Sequence, residues 1–359
     1  MNSRRLWVSL AVGTAISGTA LYLAFRHVPL ADLVVYLGSI DLFWVMVSVV
    51  LVLISFFLRT LRWRIIVATI KPLPFWETFH PLMIGFMMNC ILPGRVGEIA
   101  RPAIVKKSSG IPFATGLATV ATERMMDALV LILLFAWMIS TVPIETSMQM
   151  EFGDISLNRD TLVSLASGTT KLCGVLVAGI VLISLESFRR WVYAILIRIP
   201  RVFGNRGARE ILEHRIVPGL IRIIDHVAGG FQMIRSVGKL SGCGLLSLAI
   251  WALGCLSYYT MSLGAPGIEL GILEMSVVMI VICFFIAIPS VPGFWGIWEA
   301  GGVFALSLFG IPASDAAGFT LVNHAVQMFP VIVVGLVSMM ITGVNIFQLN
   351  REVRDAVGH

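Results

Sequence analysis

Charge is scarce in this 359-residue chain, where Asp, Glu, Lys and Arg together make up 13% of the residues. A water-soluble domain carries about twice that share, roughly 25%. Histidine occurs six times and cysteine five times. Cys90, Cys173, Cys243, Cys255 and Cys283 lie singly in apolar stretches, with no CxxC and no metal-ligand spacing to histidine, so they read as small buried apolar side chains. The chain contains no GxSxG, no HExxH, no glycine-rich phosphate loop and no Cys/His cluster. Hydrolase, metalloprotease and nucleotide-binding chemistry therefore have no sequence basis, and no enzyme activity, cofactor or metal is expected. Among the acid–histidine pairs, Glu77-x-x-His80 is the one to inspect as a metal site, and alone it is a weak signal. Nor is there a basic run interleaved with aromatics that would point to nucleic acid.

What is present is hydrophobicity. The chain is 58% hydrophobic, its mean hydropathy is +0.93, and several windows exceed about 18 apolar residues. It reads as an all-α polytopic membrane protein. Arg4 and Arg5 precede an apolar run, 6–26, too long for a signal-peptide core and without a small-x-small cleavage site, so an uncleaved first helix is expected. An amphipathic interfacial segment follows at 29–41, then a helix at 42–66 that ends in the basic cluster Arg59, Arg62, Arg64 and Lys71. Further full helices are expected over 112–139, 161–185, 241–262 and 312–346. Residues 142–160 form an acidic loop. Residues 186–239 form a basic, amphipathic linker.

Two segments break the pattern. Residues 75–107 are interrupted by Pro93-Gly94, and residues 270–309 by Pro292-Gly293. Positive-inside bias places the basic segments and both termini in the cytoplasm and the acidic loop outside. That assignment is self-consistent only if 75–107 enters and leaves from the cytoplasmic side and 270–309 from the outer side. The expectation is about six full crossings plus two opposed re-entrant hairpins, with a first repeat over 1–185 and a second over 240–359. Four landmarks support the repeat: Pro93 and Pro292 lie 199 residues apart, Glu98 and Glu299 201, Pro112 and Pro312 200, and Arg124 and His324 200. Inverted repeats with discontinuous helices are the plan of many transporters.

Ionisable residues inside apolar segments mark functional candidates. Arg95, Glu98 and Arg101 have three-residue spacing, which on a helix stacks them on one face. Arg95, Arg101 and Arg124 suit bidentate phosphate binding. They can equally pair internally, Arg95 with Glu98 and Arg124 with Glu123 or Asp127, and Arg101 can snorkel toward Lys106. Glu98 and Glu299 can titrate or neutralise a cationic headgroup, or accept backbone N–H bonds at the broken helix ends. Asp127 is placed to orient Arg124. Asn323 and His324 occupy the positions matching Glu123 and Arg124, and His324 reads as a packed hydrogen-bonding residue. Trp295 and Trp298 read as interfacial anchors.

Leu92-Pro93-Gly94-Arg95-Val96-Gly97-Glu98-Ile99-Ala100-Arg101, Glu123-Arg124-Met125-Met126-Asp127 and Pro292-Gly293-Phe294-Trp295-Gly296-Ile297-Trp298-Glu299 resemble the lysylphosphatidylglycerol synthase transmembrane-region family, which includes the flippase half of multiple peptide resistance factors. The resemblance covers essentially the whole chain. It departs where Phe294 and Trp295 follow the second Pro-Gly. It implies a lipid translocase of a prokaryotic cell (inner) membrane that moves a phospholipid or polyprenyl-linked lipid between leaflets. The soluble aminoacyl-transferase domain of the synthase is not expected in this chain. Expected partners are membrane lipids; a homo-oligomer, and a non-transporting role beside a lipid-modifying enzyme or glycosyltransferase, stay open.

Overall fold

Proline, glycine and Asp41 set the helix boundaries, and the apolar runs between them form helices. The computed structural model describes residues 3–26, 28–92, 95–141, 150–152, 155–157, 185–202, 212–230, 236–288 and 291–345, with isolated positions between 168 and 182. The helices are α1 (Ser3–Phe25), α2 (Leu30–Gly38), α3 (Leu42–Val67), α4 (Phe75–Ile91), α5 (Val96–Ser109), α6 (Phe113–Thr141), α7 (Glu186–Arg198), α8 (Val217–Gly230), α9 (Val237–Leu263), α10 (Ile272–Phe285), α11 (Ile297–Ser307) and α12 (Ala313–Thr342). Met150–Phe152 and Ile155–Leu157 pair antiparallel inside the acidic loop, with Met150 opposite Leu157. The chain is an all-α, multi-pass membrane protein apart from that ribbon. Pro93, Gly94, most of 161–185 and the tail with Arg351 and Arg354 lie outside the described residues.

Among the described residues three helices, α3, α9 and α12, are long and apolar enough to cross a membrane. Each turns large apolar side chains outward, among them Phe43 and Met46 on α3, Leu245 and Leu248 on α9 and Met340 on α12. In lipid such a surface is solvated rather than penalised. α3 and α9 are joined by small polar residues: Ser48 Oγ donates to the Ser257 carbonyl (3.1 Å) and meets Thr260 Oγ1 at 2.9 Å, and Ser257 Oγ donates to the Ser48 carbonyl (3.3 Å). The interior is filled by α10, whose residues Met275–Ile282 are all buried, and by Leu82, Met83, Ile84, Met87 and Met88 of α4. A helix apolar all round belongs in the centre of a bundle.

The two ends of the bundle are chemically distinct. Where α3 begins, the Asp41 N–H donates to the Gly264 carbonyl (2.9 Å), and Gly267 leaves room for the Asp315 carboxylate. Where α3 ends, Lys239 Nζ donates to the Ala68 carbonyl (3.4 Å), Lys71 Nζ to the Ser109 carbonyl (2.9 Å) and Ser109 Oγ to Glu77 Oε2 (3.0 Å).

α4 and α5 run antiparallel, with Glu77 beside Ser109 and Asn89 Oδ1 accepting from the Gly97 N–H at 2.8 Å. Their approach depends on glycine: a Cβ on Gly97 would lie 1.7 Å from the Gly85 carbonyl oxygen. α10 and α11 also pack on each other, Gly301 against the Phe285 ring. The two breaks meet. Arg95 Nη2 donates to the Ile286 carbonyl (2.8 Å), its guanidinium lies 6.0 Å from the Phe294 ring centre, and a Cβ on Gly293 would lie 3.1 Å from the Cys90 carbonyl oxygen.

Gly97→Ala must push α5 off α4, an overpacking cost of about 1–3 kcal/mol, and is expected to lower the thermal midpoint of the detergent-purified protein. Gly244→Ala on α9, where nothing lies within 4 Å of the added methyl, should leave the midpoint unchanged or raise it. Equal midpoints for the two variants would contradict the tight α4–α5 contact.

Candidate functional site

The largest concentration of buried charge forms where α3, α5 and α6 converge. Three-residue spacing puts Arg59 and Arg62 on one face of α3, and four-residue spacing puts Glu123 and Asp127 on one face of α6. Arg62 Nη1 donates to Asp127 Oδ1 (2.6 Å) and to Ser247 Oγ (2.9 Å), and Arg62 Nη2 lies 3.6 Å from Glu123 Oε1. Arg101 reaches across from α5, with Nη2 2.7 Å from Glu123 Oε2 and Nη1 3.3 Å from Oε1, a two-pronged contact. Arg124 donates to Glu123 Oε1 and lies 3.4 Å from Asp127 Oδ2, and Arg59 Nη1 lies 3.6 Å from the same Asp127 oxygen.

Aromatic rings wall the cluster. The Arg101 guanidinium sits 4.2 Å from the Trp63 ring centre, and the Phe86 ring is 5.4–5.8 Å from Arg59, Arg101 and Arg124. Trp63 is held by its own Nε1–H, which donates to Thr119 Oγ1 (3.1 Å). Glu123 lies ten residues into α6, about 15 Å along it at 1.5 Å per residue, and Arg62 lies five residues before the end of α3.

Four guanidinium groups face the carboxylates of Glu123 and Asp127, with Glu98 near Arg124 as a third negative charge, so the cluster keeps an excess of positive charge. The Nε atoms of Arg59, Arg62, Arg101 and Arg124 are buried and have no hydrogen-bond acceptor among the described residues. Glu123 is fully buried, but the side chain of Arg124 is 32% exposed and that of Arg59 18%. The cluster thus has a sealed anionic centre and a cationic edge that opens outward.

A second polar network lies at the start of α11. Gly293 and Gly296 have φ of 71° and 87°, left-handed values that suit glycine. The Gly296 N–H donates to Glu299 Oε2 (2.6 Å), Glu299 Oε1 meets His324 Nδ1 (2.6 Å), and His324 Nε2 meets the Gly293 carbonyl (2.8 Å). Trp298 stacks on the His324 ring at 4.5 Å and 4°, and Trp295 lies 4.4 Å from it. Asn323, fully buried, has no hydrogen bond to either amide atom among the described residues.

The sequence-derived candidates therefore divide. Arg101, Glu123, Arg124 and Asp127 come together; Glu299 and His324 form a separate network; and half-buried Glu98 acts on Arg124 through its charge. Arg95 does not share a helical face with Glu98 and Arg101. At φ 53° it precedes α5, and its guanidinium goes to the Ile286 carbonyl rather than to Glu98. Arg101 does not snorkel, because Glu123 and Trp63 hold it inside at 2% exposure. Glu299 does accept the backbone N–H expected of it. Trp295 and Trp298 pack on His324 instead of anchoring at an interface, since the broken helix folds them inward.

Sequence reasoning missed Arg59 and Arg62 as site residues and grouped them with a cytoplasmic helix end. The available signal was the i,i+3 spacing of Arg59 and Arg62 after a stretch, 42–58, that carries no charge. Glu77 and His80 line a cavity of about 360 Å³ with Trp76, Lys107 and Asn345, and no cluster of three metal-ligating side chains occurs among the described residues.

Two curated proteins are similar to this chain. One is the glycosyltransferase AglD of Haloferax volcanii, 24% identical over 97% of this chain and 57% of AglD. The chain thus spans little more than half the length of that relative. The other is a UPF0104 membrane protein of Methanothermobacter thermautotrophicus, 24% identical over 78% of this chain and 77% of that protein. No solved structure matches. The model of the lysylphosphatidylglycerol synthase TM region matches residues 9–335. With nearly its whole length matched, the chain belongs to the lysylphosphatidylglycerol synthase TM region family.

Proposed function

We propose that the protein is a lipid flippase that moves an anionic or phosphate-containing lipid between leaflets by alternating access. The observation that carries this reading is the surplus of guanidinium over carboxylate in the buried cluster, with Arg124 and Arg59 at its open edge. An uncompensated charge in hydrocarbon is costly. A phosphate headgroup entering at that edge would neutralise the excess and accept from the free N–H groups, with Arg124 making the first contact. Glu123 and Asp127 would hold Arg59, Arg62, Arg101 and Arg124 in place, while Arg95 ties the two breaks together.

The same reading treats 75–107 and 270–309 as re-entrant hairpins that enter from opposite faces and meet at Arg95, Ile286 and Gly293. The first would lie within the repeat 1–185, the second within 240–359, and 186–239 would form the cytoplasmic linker. Lys71, Ser109 and Lys239 gather at one end of α3, and Asp41, Gly267 and Asp315 at the other, which supports a cytoplasmic placement of the basic end and of both termini. Two mirror-related halves would offer inward-open and outward-open arrangements of similar energy.

A second reading draws on the similarity to AglD, which is named a glycosyltransferase. In it the chain presents or positions a lipid-linked substrate for a partner enzyme and moves nothing itself. Proteoliposomes with fluorophore-labelled phosphatidylglycerol separate the two. The flippase reading expects label to change leaflets in the presence of protein. Arg124→Gln should slow this roughly tenfold or more, the worth of one hydrogen bond to a charged group, and Arg124→Lys should restore only part. A rate no higher than in empty vesicles would overturn the flippase reading and favour the partner.

Glu123→Gln tests the architecture beneath the site. It leaves Arg62, Arg101 and Arg124 without their shared counter-charge, and breaking a buried pair this way costs about 3–5 kcal/mol. The variant is expected to lose far more thermal stability than Arg124→Gln, whose side chain is partly exposed. Matching midpoints for the two would show that Glu123 is not the anchor.

A further inference from the structure

From the Glu299–His324 contact we infer a proton-binding site that couples proton movement to the lipid cycle, an inference that rests on the flippase reading. The hydrogen-bond partners fix the protonation. A carbonyl oxygen only accepts, so the 2.8 Å contact between His324 Nε2 and the Gly293 carbonyl requires a hydrogen on Nε2. The 2.6 Å contact between Nδ1 and Glu299 Oε1 then needs a second proton between those two atoms. Whether it sits on nitrogen or on oxygen, the pair is neutral overall. Glu299 is fully buried and His324 is 1% exposed, and a neutral pair is the form that such a place tolerates.

Removing that one proton leaves a lone pair on Nδ1 facing a carboxylate oxygen, and the contact must open. The groups that would move are the left-handed joints at Gly293 and Gly296, because Glu299 also holds the Gly296 N–H and His324 holds the Gly293 carbonyl. Gly293 abuts the Cys90 carbonyl, and Arg95 grips the Ile286 carbonyl beside it. Proton occupancy therefore decides whether the second break is latched to α12, next to the point where the first break touches it.

The surroundings leave the pair to itself. On the elements packed around α11 and α12 the inward titratable groups are Cys90 (α4), Cys283 (α10), Cys243, Cys255 and Tyr258 (α9), Tyr36 (α2) and Arg59 and Arg62 (α3), with Asp315 in the first turn of α12 and Tyr22 of α1 facing out. None makes an ion pair or hydrogen bond to Glu299 or His324 among the described residues. Arg59 is engaged with Asp127. In each cycle one proton is taken up at the Nδ1–Oε1 position from one side of the membrane and released to the other.

Two measurements on the whole protein test this. The first needs no transport. Trp298 and Trp295 contact the imidazole, so their emission should change with pH as the pair gains or loses its proton, with the change absent from His324→Gln and its midpoint displaced in Glu299→Gln, which keeps the imidazole. Glu299→Gln keeps an acceptor for the Gly296 N–H, which preserves the fold if His324→Gln does not. Identical pH profiles for wild type and the folded variant would overturn the proton site whatever the lipid assay gives. The second uses the labelled-phosphatidylglycerol vesicles with a trapped pH dye. A pH difference should bias the lipid distribution about tenfold per pH unit for one proton per lipid, accompanied by proton flux. Lipid movement without flux or bias would overturn coupling and leave the flippase reading standing, whereas a wild-type emission change without any lipid movement would sustain the proton site and overturn the flippase reading.

Discussion

One carboxylate holds the first half of the molecule together. Glu123 accepts from Arg101 and Arg124 and lies 3.6 Å from Arg62, so α3, α5 and α6 converge on a single buried side chain. In a low-dielectric interior such contacts are strong and their loss is costly, because a stranded guanidinium cannot be rehydrated. Trp63 and Phe86 complete the enclosure through their ring faces. The register of the three helices is thereby set to within a hydrogen bond, which apolar packing against lipid-like neighbours could not achieve alone.

The Glu299–His324 network joins its helices with different chemistry. Asn323 and His324 follow Glu123 and Arg124 two hundred residues later in the sequence. The short helix α5 reaches α6 through an arginine and a carboxylate, and α11 reaches α12 through a carboxylate and a histidine. The first network keeps a permanent positive surplus. The second is neutral overall, with one proton shared between Glu299 and His324.

Both networks rest on broken backbone. Gly293 and Gly296 take left-handed conformations, and Gly97 lets α5 approach α4 more closely than any side chain would allow. Irregular backbone inside a bilayer survives only where protein satisfies its polar groups. Here Arg95 satisfies Ile286, His324 satisfies Gly293, and Glu299 and Asn89 satisfy Gly296 and Gly97. The polar residues near the breaks are therefore structural as well as functional, which is why removing one is expected to disturb both.

Hydropathy, proline and glycine by themselves determined that the chain is a multi-pass α-helical membrane protein, and placed most described helix ends within a few residues. That information is local: an apolar run must be a helix in lipid, and Pro-Gly must interrupt it. The motifs also singled out Arg101, Glu123, Arg124, Asp127, Glu299 and His324, which the fold gathers into two polar networks. Only tertiary structure decided who meets whom. Arg62 and Glu123 are 61 positions apart in sequence and touch because α3 and α6 run side by side. Arg95 leaves the helical face that its spacing implied because its backbone is left-handed, and Trp298 turns inward because a ring was needed over His324. A buried charge takes whatever partner the packing brings within about 3 Å, and no periodicity along a chain encodes that choice.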